Sequence, residues 1–200
     1  MTDRRVRRSR AAIQNALLDL ALDRDYDQVS IEEILERADV ARATFYAHFR
    51  DKDAVLDQVS EQAMLAVDAA THQAISETWP HYSMRAMEAF CGAAHEHADV
   101  VRLVVRGAGH GRPLRAWLKR VGEVADVAIR RRDEVLGRSP RLPYELLAAN
   151  FAWQAMAVLE WWFEREPERE VGEVALMFRQ INMLGEAWAR RLEPDELGMV

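Results

Sequence analysis

At 200 residues the chain is long enough for one or two domains with a core of their own. Half of it is hydrophobic and 30% is charged, a globular balance that excludes a disordered chain. The one cysteine, Cys91, excludes a fold stapled by internal disulfides. The net charge of -6 argues against a uniformly basic nucleic-acid binder, yet it is unevenly spread: residues 1–10 hold five arginines against Asp3, a balance of +4, which leaves -10 on the other 190.

Such a terminus is either a basic arm that meets a polyanion or a solvated end. It is not a secretory signal, because no unbroken apolar stretch follows it, and a cytoplasmic protein is expected. The most hydrophobic window, Leu146 to Phe163, is interrupted by Asn150, Gln154 and Glu160 and closed by Glu164-Arg165-Glu166. It reads as a buried helix and not as a membrane span.

In chain order, a first helix is expected from about Ser9 to Leu22, with Ile13, Ala16, Leu17 and Leu20 on one face. Residues 25–29 make a short connection. Ser30-Ile31-Glu32-Glu33 is a capping box that opens a short second helix with Ile31, Ile34, Leu35 and Ala38 inward. Asp39 ends it, and a third helix spans about Ala41 to Phe49. Two short helices joined by a tight turn, with a further helix behind them, form a helix-turn-helix.

Val40, Phe45 and Phe49 are expected to face the first two helices. The other side of the third helix offers Arg42, Ala43, Thr44, Tyr46, Ala47 and His48, with no acidic residue among them. A helix in a DNA major groove needs such a side, because carboxylates would be repelled by phosphates while small residues allow close approach. Lys52 and the Arg4, Arg5, Arg7, Arg8 and Arg10 arm add positive charge at its flanks. Asp51 then caps a long fourth helix containing Val55, Leu56, Val59, Met64 and Val67.

The string Ser30-Ile31-Glu32-Glu33-Ile34 … Ala38-Asp39-Val40-Ala41-Arg42-Ala43-Thr44-Phe45-Tyr46-Ala47-His48-Phe49-Arg50-Asp51-Lys52-Asp53-Ala54-Val55-Leu56 resembles the tetracycline-repressor (TetR) family of bacterial transcription regulators. The resemblance covers about residues 10–60. Leu159-Glu160-Trp161-Trp162 before Pro167 is similar to the junction of the last two helices in some members. Carried over by position, the resemblance implies that Arg42 and Ala43 face base edges, while Thr44, Tyr46, His48 and Lys52 grip phosphates. Two departures stand out. The family has glycine, in a left-handed conformation, at the positions of Asp25 and Asp39, and it often has a capping serine where Ala41 stands. Aspartate tolerates a left-handed backbone at a cost of about 1 kcal/mol. The cap of the third helix is either missing or supplied by Asp39.

Beyond residue 60, breaks at Trp79-Pro80, Gly107 to Pro113, Gly137 to Pro143 and Glu166-Pro167 separate further helical segments. Almost nothing alternates with period two, so the fold is expected to be all-α with about nine helices. Residues 1–50 form the expected helix-turn-helix domain, and residues 51–200 a helical ligand-binding and dimerisation domain. All six tryptophans lie in the second part: Trp79, Trp117, Trp153, Trp161, Trp162 and Trp188. They are either core or partly the lining of an effector pocket, for which Asn150, Gln154, Trp153, Trp117 and Phe90 are the candidates. Asn150 and Gln154 could equally lie at a helix edge.

Cys91 and His95 share a helix face but are too few for a metal site, and no cofactor is called for. Gly107-Ala108-Gly109-His110-Gly111-Arg112 is a loop, since no strand precedes it. Arg102, Arg106, Arg112, Arg115, Lys119 and Arg120 form a basic run that is either a solvated face or a site for an acidic ligand.

The last two helices, about Tyr144–Arg165 and Glu168–Arg191, need apolar partners on two sides. A four-helix interface across a two-fold axis supplies them, and the resemblance implies the same. These features together point to a ligand-responsive regulator, a repressor by the family's habit, that binds a near-palindromic double-stranded DNA operator as a homodimer and is released by a small-molecule effector. The alternatives are a helical ligand- or protein-binding module without DNA binding and, for want of any nucleophile–base pair, more remotely a small all-α enzyme.

Overall fold

A computed structural model of the protein describes residues 2–78, 84–137 and 139–189. Among these residues the fold is all-α: α1 (Thr2–Asp23), a single 3-10 turn (Tyr26–Gln28), α2 (Ile31–Ala38), α3 (Arg42–His48), α4 (Lys52–Thr78), α5 (Met84–Glu96), α6 (Ala98–Val105), α7 (Arg112–Leu136), α8 (Tyr144–Arg165) and α9 (Val171–Ala189). Trp79 and the break at Trp79-Pro80 lie outside the described residues, as does the side chain of Trp188.

The chain divides into two compact units. One comprises the described residues within Met1–Leu65 together with His97–Trp117. The other comprises Ala66–Glu96 and the described residues from Leu118 onward. Both α4 and α7 contribute residues to each unit.

In the first unit α1 packs on α2, α3 and α6. Ile13, Ala16 and Leu17 are buried as the periodicity requires, with Ala21 below them, while Leu20 is only half-buried. Ile34, Phe45, Phe49, Val55 and Leu56 complete this core. The helix begins well before Ser9. Nothing in residues 2–23 breaks a helix, and arginine is a good helix former. Ser9 does not cap: its hydroxyl donates back to the carbonyls of Arg5 and Val6, both at 3.1 Å.

The expected capping box is present. Ser30 Oγ accepts from the Glu33 N–H at 3.3 Å, and Glu33 Oε2 accepts from the Ser30 N–H at 2.9 Å. Arg24 also reaches Glu33, at 2.5 Å. The Arg24 guanidinium, then the Ser30 hydroxyl and N–H, hold the Glu33 carboxyl at about 2, against an ordinary value of 4.5. A depressed folded value means that this contribution to stability is full above about pH 4.5 and is lost as pH falls toward about 2. Thermal melts of Glu33→Gln and wild type are therefore expected to converge as pH falls to about 2 and to separate above pH 5, wild type melting higher.

Asp39 closes α2 in the left-handed region (φ 51°, ψ 51°), and the Val40 N–H reaches the Leu35 carbonyl at 3.1 Å. Asp39 is thus occupied with ending α2, and Ala41 starts α3 with no side-chain cap. Asp25 departs from expectation. Its backbone is at φ -59° and ψ 129°, and its carboxylate accepts from the Asp27 N–H at 3.0 Å. It caps the 3-10 turn and needs no left-handed geometry. Of these two aspartates Asp39 alone is left-handed, so Asp39→Gly is expected to raise the melting temperature by about 2–4 °C, and Asp25→Gly to lower it.

The second unit packs α5 and α8 against α9. Phe178 sits between Phe90 (6.1 Å) and Phe151 (5.2 Å), and Trp162 stacks on Phe163 with ring centroids 4.9 Å apart. Trp162 Nε1 donates to the Arg169 carbonyl at 3.1 Å, which satisfies the indole's one donor. Burial pushes the Cys91 thiol up to about 12, so it behaves as a small apolar side chain. No helix among the described residues is long and apolar enough to cross a membrane.

Candidate nucleic-acid interface

Phe45 and Phe49 anchor α3 from below. Phe45 is fully buried, 6.0 Å from the Phe49 ring, and α1 lies behind it. With that side fixed, the opposite side of a seven-residue helix is determined by its 3.6-residue turn. Arg42, Ala43, Tyr46 and Ala47 are exposed, and Thr44 and His48 are half-buried at the edges. Val40 is half-buried, less enclosed than the two phenylalanines.

His48 ties this surface to the basic helix. Its Nε2 lies at hydrogen-bond distance, 2.8 Å, from Ser9 Oγ. Arg4, Arg5, Arg7 and Arg8 are exposed on the first turns of α1. Arg10 covers the Phe49 ring at 5.6 Å and donates to Gln58 at 3.0 Å. The basic arm is thus a helical extension whose angle is set by α1, and α1 is itself linked to α3 through Ser9 and His48.

Lys52 requires a correction. It does not offer its ammonium to phosphate. Its Nζ donates to the carbonyls of Tyr26 (2.9 Å), Asp27 (3.1 Å) and Val29 (2.8 Å), and it lies 4.6 Å from the Tyr26 ring centroid. An ammonium has three protons, and all three are used here. Lys52 therefore fastens the start of α4 to the segment between α1 and α2. Tyr26 completes this joint by donating to Asp53 at 2.5 Å, and Asp53 in turn lies 3.1 Å from Arg112.

Sequence reading missed a further residue. Glu32, in the first turn of α2, forms an ion pair with Arg42. Glu33 is taken up by the cap and by Arg24, so Glu32 is the α2 acid that turns to α3. The capping box could have hinted at this, since it fixes which of two neighbouring glutamates is free to leave the cap. Beside it, an open hollow of about 650 Å³ is lined by Asp27, Glu32, Asp51 and Asp53 together with Lys52, His110, Val29 and Ile31, four carboxylates against one ammonium. A polyanion is repelled from such a rim, which bounds the basic surface on that side.

The residues expected to line a pocket are divided between the two units. Trp117 is buried in the first unit and donates from Nε1 to Ser60 Oγ at 3.0 Å. Phe90 is core of the second unit against Phe178. Asn150 and Trp153 lie on the outer side of α8, Trp153 with 60% of its surface exposed, and Gln154 accepts from Asn182 at 3.0 Å. The helix-edge reading of Asn150 is the one the structure supports. The apolar sequence around these residues is explained by two faces of α8, one packed on α9 and one open.

Three members of the basic run, Arg112, Lys119 and Arg120, lie against carboxylates. Arg112 meets Asp53 and Asp57 (3.5 Å), Arg120 meets Asp68 at 2.5 Å, and Lys119 lies 3.9 Å from Glu123. That pairing fits a solvated face more than a site for an acidic ligand. Around it, Gly107, Gly109 and Gly111 all adopt positive φ. A Cβ on Gly109 would meet Leu56 at 2.9 Å, so this loop turns where only glycine fits. Among the described residues no three His, Cys, Asp or Glu side chains are grouped to hold a metal ion. His95 instead stacks on Trp162, with ring centroids 5.1 Å apart.

Residues 13–59 match the model of bacterial regulatory proteins of the tetR family. Over this segment the chain is similar to the TetR family. The matched span opens in α1 and closes in α4, and so contains α2, α3 and both buried phenylalanines. The chain is 33% identical over 87 residues to the uncharacterized HTH-type transcriptional regulator YxbF of Bacillus subtilis (strain 168). That stretch is 43% of this chain and 22% of the relative, so the chain spans well under two thirds of that protein's length.

The TetR fold extends beyond the matched segment. A TetR-family transcriptional regulator from Syntrophomonas wolfei str. Goettingen superposes with a TM-score of 0.70 at 18% identity, covering 87% of this chain and 94% of that one. The regulator FadR from Bacillus subtilis, solved in complex with stearoyl-CoA, has a TM-score of 0.70 at 15% identity, covering 88% and 98%.

Proposed function

We propose that this chain is a DNA-binding transcriptional regulator that represses from a near-palindromic operator as a homodimer and is released by a small-molecule effector. The carrying observation is the exposed, acid-free side of α3, held outward by Phe45 and Phe49 and flanked by the arginines of α1. In this reading residues 1–50 read DNA, and residues 51–200 bind effector and pair with a second copy. Arg42 donates to guanine, Ala43 touches a thymine methyl, and Thr44, Tyr46, His48 and the α1 arginines hold phosphates.

The open apolar surface of α8 and α9 supports the homodimer. Leu146, Trp153, Leu176, Met177, Ile181 and Met183 are all exposed there, a large apolar area for a surface facing water. The FadR–stearoyl-CoA structure supports an effector held by this fold, its chemistry in this chain being open. The family is one of regulators, and no catalytic role is assigned.

The test is selection of binding sites from randomised duplexes, followed by anisotropy titrations of the selected operator. Tyr46→Phe is expected to weaken every site alike by several-fold, having lost one phosphate hydrogen bond of about 1 kcal/mol. Arg42→Ala is expected to relax preference at one base pair by about 1–3 kcal/mol. Equal, sequence-independent losses from both variants would overturn this division of roles. An effector must change operator affinity by the same factor by which operator changes its own, so titration in both orders checks the release scheme.

A further inference from the structure

We infer that Glu32 sets the sequence specificity of the interface by positioning the Arg42 guanidinium, without touching a base itself. The inference rests on the DNA-binding reading above and adds a residue of α2 to it. Three observations carry it. The presented side of α3 has no acid of its own, yet Glu32 reaches it from α2 and pairs with Arg42 Nη2. The other first-turn glutamate, Glu33, is committed to Ser30 and Arg24. The Glu32 carboxyl is held below its ordinary range, first by the backbone at the start of α2 and then by Arg42, so it stays ionised wherever the protein is folded at neutral pH.

A guanidinium has five N–H donors in a planar fork. With one edge on Glu32, the remaining N–H groups keep a fixed direction and can still pair with the two acceptors of a guanine edge. A phosphate oxygen, by contrast, must replace the carboxylate to gain the charge of Arg42, which exchanges one anion for another. Glu32 therefore withholds Arg42 from non-specific phosphate contacts while leaving its base-reading edge available. A carboxylate beside the groove also repels all duplexes, a cost that only the cognate base offsets.

Binding of wild type, Glu32→Gln, Arg42→Ala and the double variant is measured on the selected operator, on that operator with each base pair changed, and on a random duplex, over a range of salt. In Glu32→Gln the random duplex is expected to bind more tightly, with a salt slope steeper by about 0.9, the signature of one additional neutralised phosphate. Discrimination at the base pair read by Arg42 is expected to fall about tenfold, within the range of one bidentate contact. In the Arg42→Ala background the same Glu32 change is expected to leave discrimination unaltered, which a merely structural role would not predict. Equal tightening on operator and random duplex with discrimination intact, or a change in discrimination that persists without Arg42, overturns the inference and leaves the DNA-binding reading standing. A wild-type protein that selects no sequence overturns both.

Discussion

Replacing Phe45 by alanine is expected to cost about 3–5 kcal/mol of the stability of the first unit and to abolish operator binding. Phe45 is one of the largest side chains with no solvent exposure, and it contacts two aromatic neighbours, Tyr46 at 5.4 Å and Phe49 at 6.0 Å. A seven-residue helix cannot hold itself together in water, so α3 depends on what it packs against. Removing the ring leaves a cavity between α3 and α1. Urea unfolding followed by circular dichroism gives the stability loss. Phe45→Leu separates stability from contact, because it refills most of the volume and is expected to restore most of the binding. A loss under about 1 kcal/mol from Phe45→Ala would mean that α3 is held by something other than this ring.

The second large effect is expected from charge placed on the open side of α8 and α9. The double variant Trp153→Glu, Ile181→Glu puts two carboxylates where wild type exposes 60% and 39% of two apolar side chains. Neither residue belongs to its own unit's buried core, so the fold should tolerate the change, and the helical circular dichroism signal should be retained. If these helices form the interface between two copies, desolvating unpaired carboxylates there costs several kcal/mol and the dimer separates. Operator affinity then falls by about 100-fold or more, because the second half-site is no longer bound at high effective concentration, while affinity for an isolated half-site is unchanged. Light scattering and anisotropy read the two outcomes. A variant that stays dimeric would move the interface elsewhere.

Much of the site was legible in the chain because it is built from local signals. Ser30 and Glu33 are three residues apart and make their cap wherever a helix starts there. The 3.6-residue period alone divides α3 into Phe45 and Phe49 on one side and Arg42, Ala43 and Tyr46 on the other. The surroundings of the candidate pocket residues were less legible, for the converse reason. An apolar helix such as α8 has several sides, and periodicity does not say which one meets α9 and which remains open. Trp153 and Trp162 look alike in sequence, yet the first is exposed and the second fully buried.

What the sequence by itself determined is the all-α class, the capping of α2, its end at Asp39 and the two sides of α3, since each follows from residues within a turn or two of one another. Tertiary structure alone decided that Lys52 spends its three protons on the carbonyls of Tyr26, Asp27 and Val29, and that Glu32 meets Arg42 across ten residues. It also decided that Ser9 joins His48 across thirty-nine. A cation in a sequence shows its charge and its reach. Whether that charge faces a carbonyl, a carboxylate or open water depends on which distant segments the buried side chains bring beside it.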